Sequence, residues 1–204
     1  MLFWIGWALS RFVARAIGRC RYIGVENVPK QGGVIIAPNH ISYADPPIIG
    51  AGLPRQTHFM AKSELFAVPV LGFLIRGVGS FSVRQNTADR AALRKAIDLL
   101  GRGRAVCIFP EGRRNLTGKL LPAQAGLGMV ALKSRAPVVP VAIIGSDKLL
   151  PPHSFFLRFA RVRVIWGRPM TFDDLYDRGM DREAIRQVGE RVMLAIADLL
   201  ASNL

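Results

Sequence analysis

Residues 33–47 read GVIIAPNHISYADPP. A strand with one face in water alternates apolar and polar side chains, whereas Val34–Ala37 are apolar without a break. Such a run reads as a strand covered on both faces. The pattern returns in AVCIF, Ala105–Phe109, and in VVPVAII, Val138–Ile144. With Gly33–Ala37, Thr57–Ala61, Gly79–Val83 and Arg161–Trp166, these make six predicted strands. Between them lie stretches with helical spacing: Ala88–Leu100, residues 125–135, and Arg182–Ala201, where Ile185, Val188, Val192, Ile196 and Leu199 share one face. Strands alternating with helices predict an α/β single domain, a mixed and largely parallel β-sheet flanked by helices.

The 204 residues suffice for one full core. No linker, repeat or low-complexity tract divides them. Half are apolar, which excludes a disordered chain, yet the net charge is +14. That charge points to an anionic partner, and its combination with high apolarity suits a membrane surface. Cys20 and Cys107 are far apart in sequence and suggest neither a metal site nor a disulfide scaffold, in keeping with a reducing cytoplasm.

The opening MLFWIGWAL is followed by Arg11, Arg15, Arg19 and Arg21. It is far short of the roughly 20 apolar residues that a membrane span requires, and it lacks the flanks of a signal peptide. Phe3, Trp4, Trp7, Phe12 and Ile17 with trailing arginines read as an amphipathic interfacial helix over residues 1–20, ahead of a globular domain over 21–204. A helix packed on the core would carry the same residues. A second apolar stretch, Leu65–Ile75, is interrupted by Pro69 and reads either as a core helix or as a second piece dipping into a bilayer.

In APNHISYADPP the apolar strand runs into Asn39 and His40, and Asp45 follows before two prolines, the pattern of a helix N-cap. A tight strand-to-helix turn would bring the Asp45 carboxylate to the His40 imidazole. A neutral imidazole so held can take a proton from an attacking hydroxyl, while the carboxylate fixes its tautomer. An ordinary cap next to a strand-end histidine explains the spacing equally well. In FPEGRRN, residues 109–115, Pro110 and Gly112 shape a turn at a strand's carboxyl end, where open α/β sheets place ligands. Glu111 there could accept from a substrate hydroxyl, and Arg113 and Arg114 could donate to a phosphate. Arg84 in GSFSVRQN and Lys62 in MAKSELF are further cations for a phosphate. Pro140, inside VVPVAII, suggests an edge, a bulge or a close ligand approach.

Taken together these segments resemble the glycerolipid acyltransferase family, typified by 1-acylglycerol-3-phosphate acyltransferases. The family's NHxxxxD, Gly-to-Arg, FPEGxRS and valine-proline blocks correspond in order to Asn39-His40…Asp45, Gly79…Arg84, Phe109-Pro110-Glu111-Gly112…Arg114-Asn115 and Val139-Pro140-Val141. The resemblance covers residues 22–146. It implies His40 as general base, Asp45 as its partner, Glu111 and Gly112 in acceptor binding, and Arg114 on the phosphate. Asn115 stands where serine is usual. Family sequences reading GxxPVDR would place their arginine at Gln85, one residue past Arg84, and such a shift on a strand reverses the face.

The implied reaction moves an acyl group from acyl-CoA or acyl-carrier protein, as co-substrate, to the free hydroxyl of 1-acylglycerol 3-phosphate. It needs no cofactor and no metal, and it belongs at the cytoplasmic face of an anionic membrane, with the protein monotopic or peripheral and not bound to nucleic acid. Glycerol 3-phosphate or a lyso-aminolipid could replace the acceptor. A non-catalytic basic protein would account for the charge but not for these blocks. GxSxG, GxGxxG after a strand, HExxH and a true Walker A loop are missing from the sequence.

Overall fold

The computed structural model describes residues 2–53, 55–84, 89–154 and 156–203, with side chains from Gly6 onward. Its elements run α1 (Leu2–Ala16), β1 (Arg21–Ile23), β2 (Val34–Pro38), α2 (Asp45–Gly52), β3 (Thr57–Lys62), α3 (Pro69–Gly77), β4 (Phe81–Val83), α4 (Arg90–Gly101), β5 (Ala105–Cys107), α5 (Ala125–Ser134), β6 (Val138–Ile144), α6 (Ser146–Leu149), β7 (Arg163–Trp166), α7 (Asp173–Tyr176) and α8 (Arg182–Ala201). The seven strands form one sheet in the order β1-β7-β6-β2-β5-β3-β4. The five from β6 to β4 are mutually parallel, and β7 runs antiparallel to β6 with β1 parallel to it.

The unbroken apolar run of β2 is explained by its central place. Ile35 and Ala37 enter a core beneath α4, α5 and α8, while Val34 and Ile36 enter a second core on the opposite face. Both isoleucines are fully buried, each stabilising the fold by about 1.5–3 kcal/mol relative to exposure. β1 has no counterpart among the predicted strands: it has three residues, two of them exposed, too few to carry a periodicity. The predicted ends of β5 and β7 shrink to residues 107 and 163, because the chain turns away to build loops at the sheet's edge.

Pro140 lies in an internal strand, not at an edge. Val141 pairs with Trp166 and Val138 with Met170, so two residues of β6 face three on the segment after β7, Gly167, Arg168 and Pro169. That extra residue is a bulge, and it absorbs the N–H that proline cannot supply. Gly167 is needed there, since a Cβ would lie 2.8 Å from Pro140 Cγ.

The Leu65–Ile75 stretch is no core helix. It becomes a 3-10 turn followed by α3, with Pro69 in the first turn of α3, and only Gly72 of that helix is buried. Val70 and Phe73 are 73% and 61% exposed, and α3 packs beside α1, where Leu9 and Phe12 are also exposed. α1 is held to the domain by Ala14, which is buried, and by Arg11, whose guanidinium donates to the Ala51 carbonyl of α2. Among the described residues no helix is long and apolar enough to cross a membrane. The side chains of Phe3 and Trp4, and Gln85 as a whole, fall outside the described residues.

Candidate active site

Because β2 to β6 are parallel, their carboxyl ends share one edge of the sheet. His40 and Asp45 follow β2, Lys62 ends β3, Arg84 follows β4, Glu111 and Arg114 follow β5, and Ser146 follows β6.

The turn after β2 brings Asp45 Oδ2 within 2.8 Å of His40 Nδ1. The same oxygen accepts from the backbone N–H groups of Ile41 and Ser42, each at 2.8 Å. Oδ1 accepts from Ser146 Oγ at 2.5 Å. Asp45 is completely buried, and each of these donors offsets part of the cost of taking a carboxylate out of water. Asp45 is not the helix cap expected from its position before proline. Ala44 occupies the cap, and Asp45 is the first residue of α2, its carboxylate folded back over the turn. With Nδ1 committed to a carboxylate, the neutral ring carries its proton there and offers the Nε2 lone pair. The His40 side chain is 16% exposed, which leaves the ring accessible. Phe109 stacks on it with centroids 4.0 Å apart.

Glu111, expected to face a substrate hydroxyl, is instead buried at 2% exposure. Its Oε1 accepts from the His40 backbone N–H at 3.1 Å, and Oε2 accepts from Asn115 Nδ2 at 2.7 Å and Leu121 N at 3.0 Å. It therefore ties the 109–121 loop to the base. Asn115 returns the link, its backbone N–H donating to the His40 carbonyl at 2.7 Å. Its Oδ1 accepts from Thr117 N and Oγ1. An amide supplies donor and acceptor at once, which accounts for asparagine at a position where serine is usual. Gly112, between them, sits at φ +68, where a Cβ would also strike Gln124. Asn39 is buried and locks the turn to β6, bonding the Ile143 N–H and carbonyl at 2.7 and 3.1 Å.

The four cations named for phosphate differ in setting, and Arg113 is simply exposed. The Arg114 guanidinium lies 3.8 Å above the ring of Tyr43, which belongs to the His40–Asp45 turn, so Arg114 is at the site. Lys62 pairs with Glu64 at 3.3 Å, and Arg84 is 74% exposed with Nε 3.7 Å from Asp89. Both lie on the β3–β4 side of the same edge. Ser146 was not legible as part of the site: a serine after an apolar strand and a glycine is unremarkable until the fold sets it against Asp45. Cys107, buried one strand away, is inert; burial, and secondarily the Asp45 charge, raise its pKa well above the usual thiol value.

A family model described as Acyltransferase matches residues 19–144. The chain is 34% identical over 154 residues to the 1-acyl-sn-glycerol-3-phosphate acyltransferase of Bacillus subtilis, covering 75% of this chain and 74% of that one. It is 32% identical over 206 residues to the lyso-ornithine lipid O-acyltransferase of Pseudomonas aeruginosa, covering 93% and 77%. The crystal structure of the 1-acyl-sn-glycerophosphate (LPA) acyltransferase PlsC from Thermotoga maritima superposes with a TM-score of 0.76 at 29% identity, over 98% of this chain and 81% of that one.

Proposed function

The chain belongs to the acyltransferase family, and on that footing we propose that it acylates the free hydroxyl of 1-acyl-sn-glycerol 3-phosphate to give phosphatidic acid. The observation that carries the chemistry is the 2.8 Å contact between His40 Nδ1 and the buried Asp45. An alcohol is too weak an acid to attack a thioester unaided. His40 Nε2 takes the hydroxyl proton as the oxygen attacks the thioester carbonyl carbon, and Asp45 stabilises the imidazolium that results. Collapse of the tetrahedral intermediate breaks the carbon–sulfur bond, and the leaving thiolate takes the proton back from His40. The nucleophile belongs to the substrate, so no acyl-enzyme forms. Glu111 and Asn115 act through His40 by fixing the turn that carries it.

Arg114 is the cation best placed for the acceptor phosphate, with Lys62 and Arg84 further along the edge. This basic setting suits the dianionic phosphate better than the headgroup of the lyso-ornithine lipid named for the Pseudomonas relative, whose single carboxylate is offset by an ammonium. The exposed apolar residues of α1 and α3 would rest in the interfacial layer at the cytoplasmic face, bringing the site to lipids that stay in the bilayer. Purified protein, labelled acyl-CoA or acyl-carrier protein, and a panel of lysolipids test the reading. Labelled phosphatidic acid is expected, and transfer to lyso-ornithine lipid alone would replace the assigned acceptor.

A further inference from the structure

A groove of about 980 Å³ opens beside the His40 turn and follows the sheet edge past β6 toward β7 and β1. Asn39, Ile41 and Asn115 line it next to the base. Arg19, Arg21, Arg161, Arg163, Lys119 and Lys148 line the remainder, and Asp147 is the one acid among the lining residues. Among the described residues none of these six cations forms an ion pair, whereas Lys62 and Arg84 on the other side of the site do. Arg21 and Arg163 are register partners on adjacent strands, so their side chains leave the same face of the sheet together. Like charges set opposite one another across strands destabilise a sheet. The fold thus holds a mutually repelling cluster next to its catalytic base, an arrangement that a polyanion relieves.

We propose that this groove receives the phosphates of the acyl donor, a coenzyme A thioester. The assignment rests on the acyl-transfer reading of the site. Two or three forked donors satisfy one lysolipid phosphate, and six cations spread along a groove suit a ligand with separated phosphate groups. A cavity in the range of about 300–1,000 Å³ takes a small molecule rather than the convex surface of a carrier protein. Position agrees. The acceptor cations and the apolar α3 lie toward β3 and β4, and the groove lies toward β7 and β1, so donor and acceptor approach His40 from opposite ends of one edge.

The test uses the full chain with Arg21 and Arg163 both changed to Gln, and Arg182→Gln on α8 as a charge control. Calorimetry with adenosine 3′,5′-bisphosphate reads the groove without turnover, and steady-state kinetics read each substrate. We expect the double variant to bind the nucleotide about tenfold more weakly or worse, with a matching rise in KM for acyl-CoA, as for removal of forked phosphate donors. Its thermal midpoint should hold or rise, because a repulsive pair is relieved, and the control should behave as wild type. A rise confined to KM for the lysolipid would overturn the assignment, as would transfer from acyl-carrier protein alone with no nucleotide affinity, or a double variant indistinguishable from wild type. Wild-type protein that binds the nucleotide but acylates no lysolipid would overturn the acyl-transfer reading, and with it the donor role. Active wild-type enzyme without nucleotide affinity would overturn the groove assignment alone.

Discussion

Ser146 donates a 2.5 Å hydrogen bond to Asp45 across 101 residues of chain, and both side chains are completely buried. The carboxylate that orients His40 is thus oriented in turn by the first residue of α6, just past β6. Ser146→Ala leaves Asp45 Oδ1 without this donor in a dry place, at a stability cost of about 1.5–3 kcal/mol for a bond to a charged group. We expect kcat to fall by about ten- to a hundredfold, as when a supporting partner is removed, with KM for both substrates little changed. A change confined to thermal stability, at full kcat, would show that Ser146 only packs.

His40→Ala removes the base and leaves the Asp45 network with Ile41, Ser42 and Ser146 in place. Turnover should drop by about 10²–10⁴-fold, the usual contribution of a positioned base, while circular dichroism and vesicle binding stay as in wild type. Rapid-mixing experiments on the wild-type protein should reveal no burst of acylated enzyme.

Glu111→Gln tests the positioning role directly. Glutamine keeps one carbonyl oxygen, but its amide must face either the His40 N–H or the Asn115 and Leu121 donors. A donor facing donors in a buried site costs about 1–3 kcal/mol, so the melting temperature should fall. If Glu111 acts through His40, kcat falls and KM for the lysolipid holds. A Glu111 that binds the acceptor hydroxyl would show the opposite split.

The sheet was readable in sequence because β2, β5 and β6 are buried on both faces and therefore carry unbroken apolar runs. β1 was not, since three residues at a sheet edge need no such pattern. His40 and Asp45 stood out by residue type and by the order of the blocks around them. The role of Glu111 did not, because whether a carboxylate faces substrate or backbone donors depends on how the 109–121 loop folds back, which no local spacing encodes. Ser146 and the Arg21–Arg163 pairing arise from crossovers that join distant segments, and only the assembled sheet displays them.

Asp89 caps α4, accepting from Ala91 N and Ala92 N, and it also holds Arg84 through the backbone N–H of that residue. These bonds, the one from Arg84 first, lower its pKa below the ordinary carboxylate value. A depressed folded pKa contributes stability above the unfolded pKa, and that contribution is lost as pH falls through the folded value. Asp89→Ala should therefore lower the melting temperature at neutral pH, and the difference from wild type should shrink on acidification below about pH 4, where an unfolded aspartate protonates. Melting curves across pH 2–7 check both the sign and the window.

The apolar surface of α1 and α3 makes the last prediction. Phe12, Val70 and Phe73 are each more than half exposed, a burden for a soluble surface unless lipid or a partner covers them. None of them contributes to either core, so replacing all three with serine should leave the melting temperature unchanged or slightly raised. Each large apolar side chain that leaves a bilayer forfeits about 1.5–3 kcal/mol, so sedimentation with anionic vesicles should fall sharply. Acylation of a short-chain, water-soluble lysophosphatidate should persist, because His40 and Asp45 lie outside the altered surface, while activity on long-chain substrate in vesicles should drop. Equal loss on both substrates would mean that these residues support the site itself rather than its access to lipid.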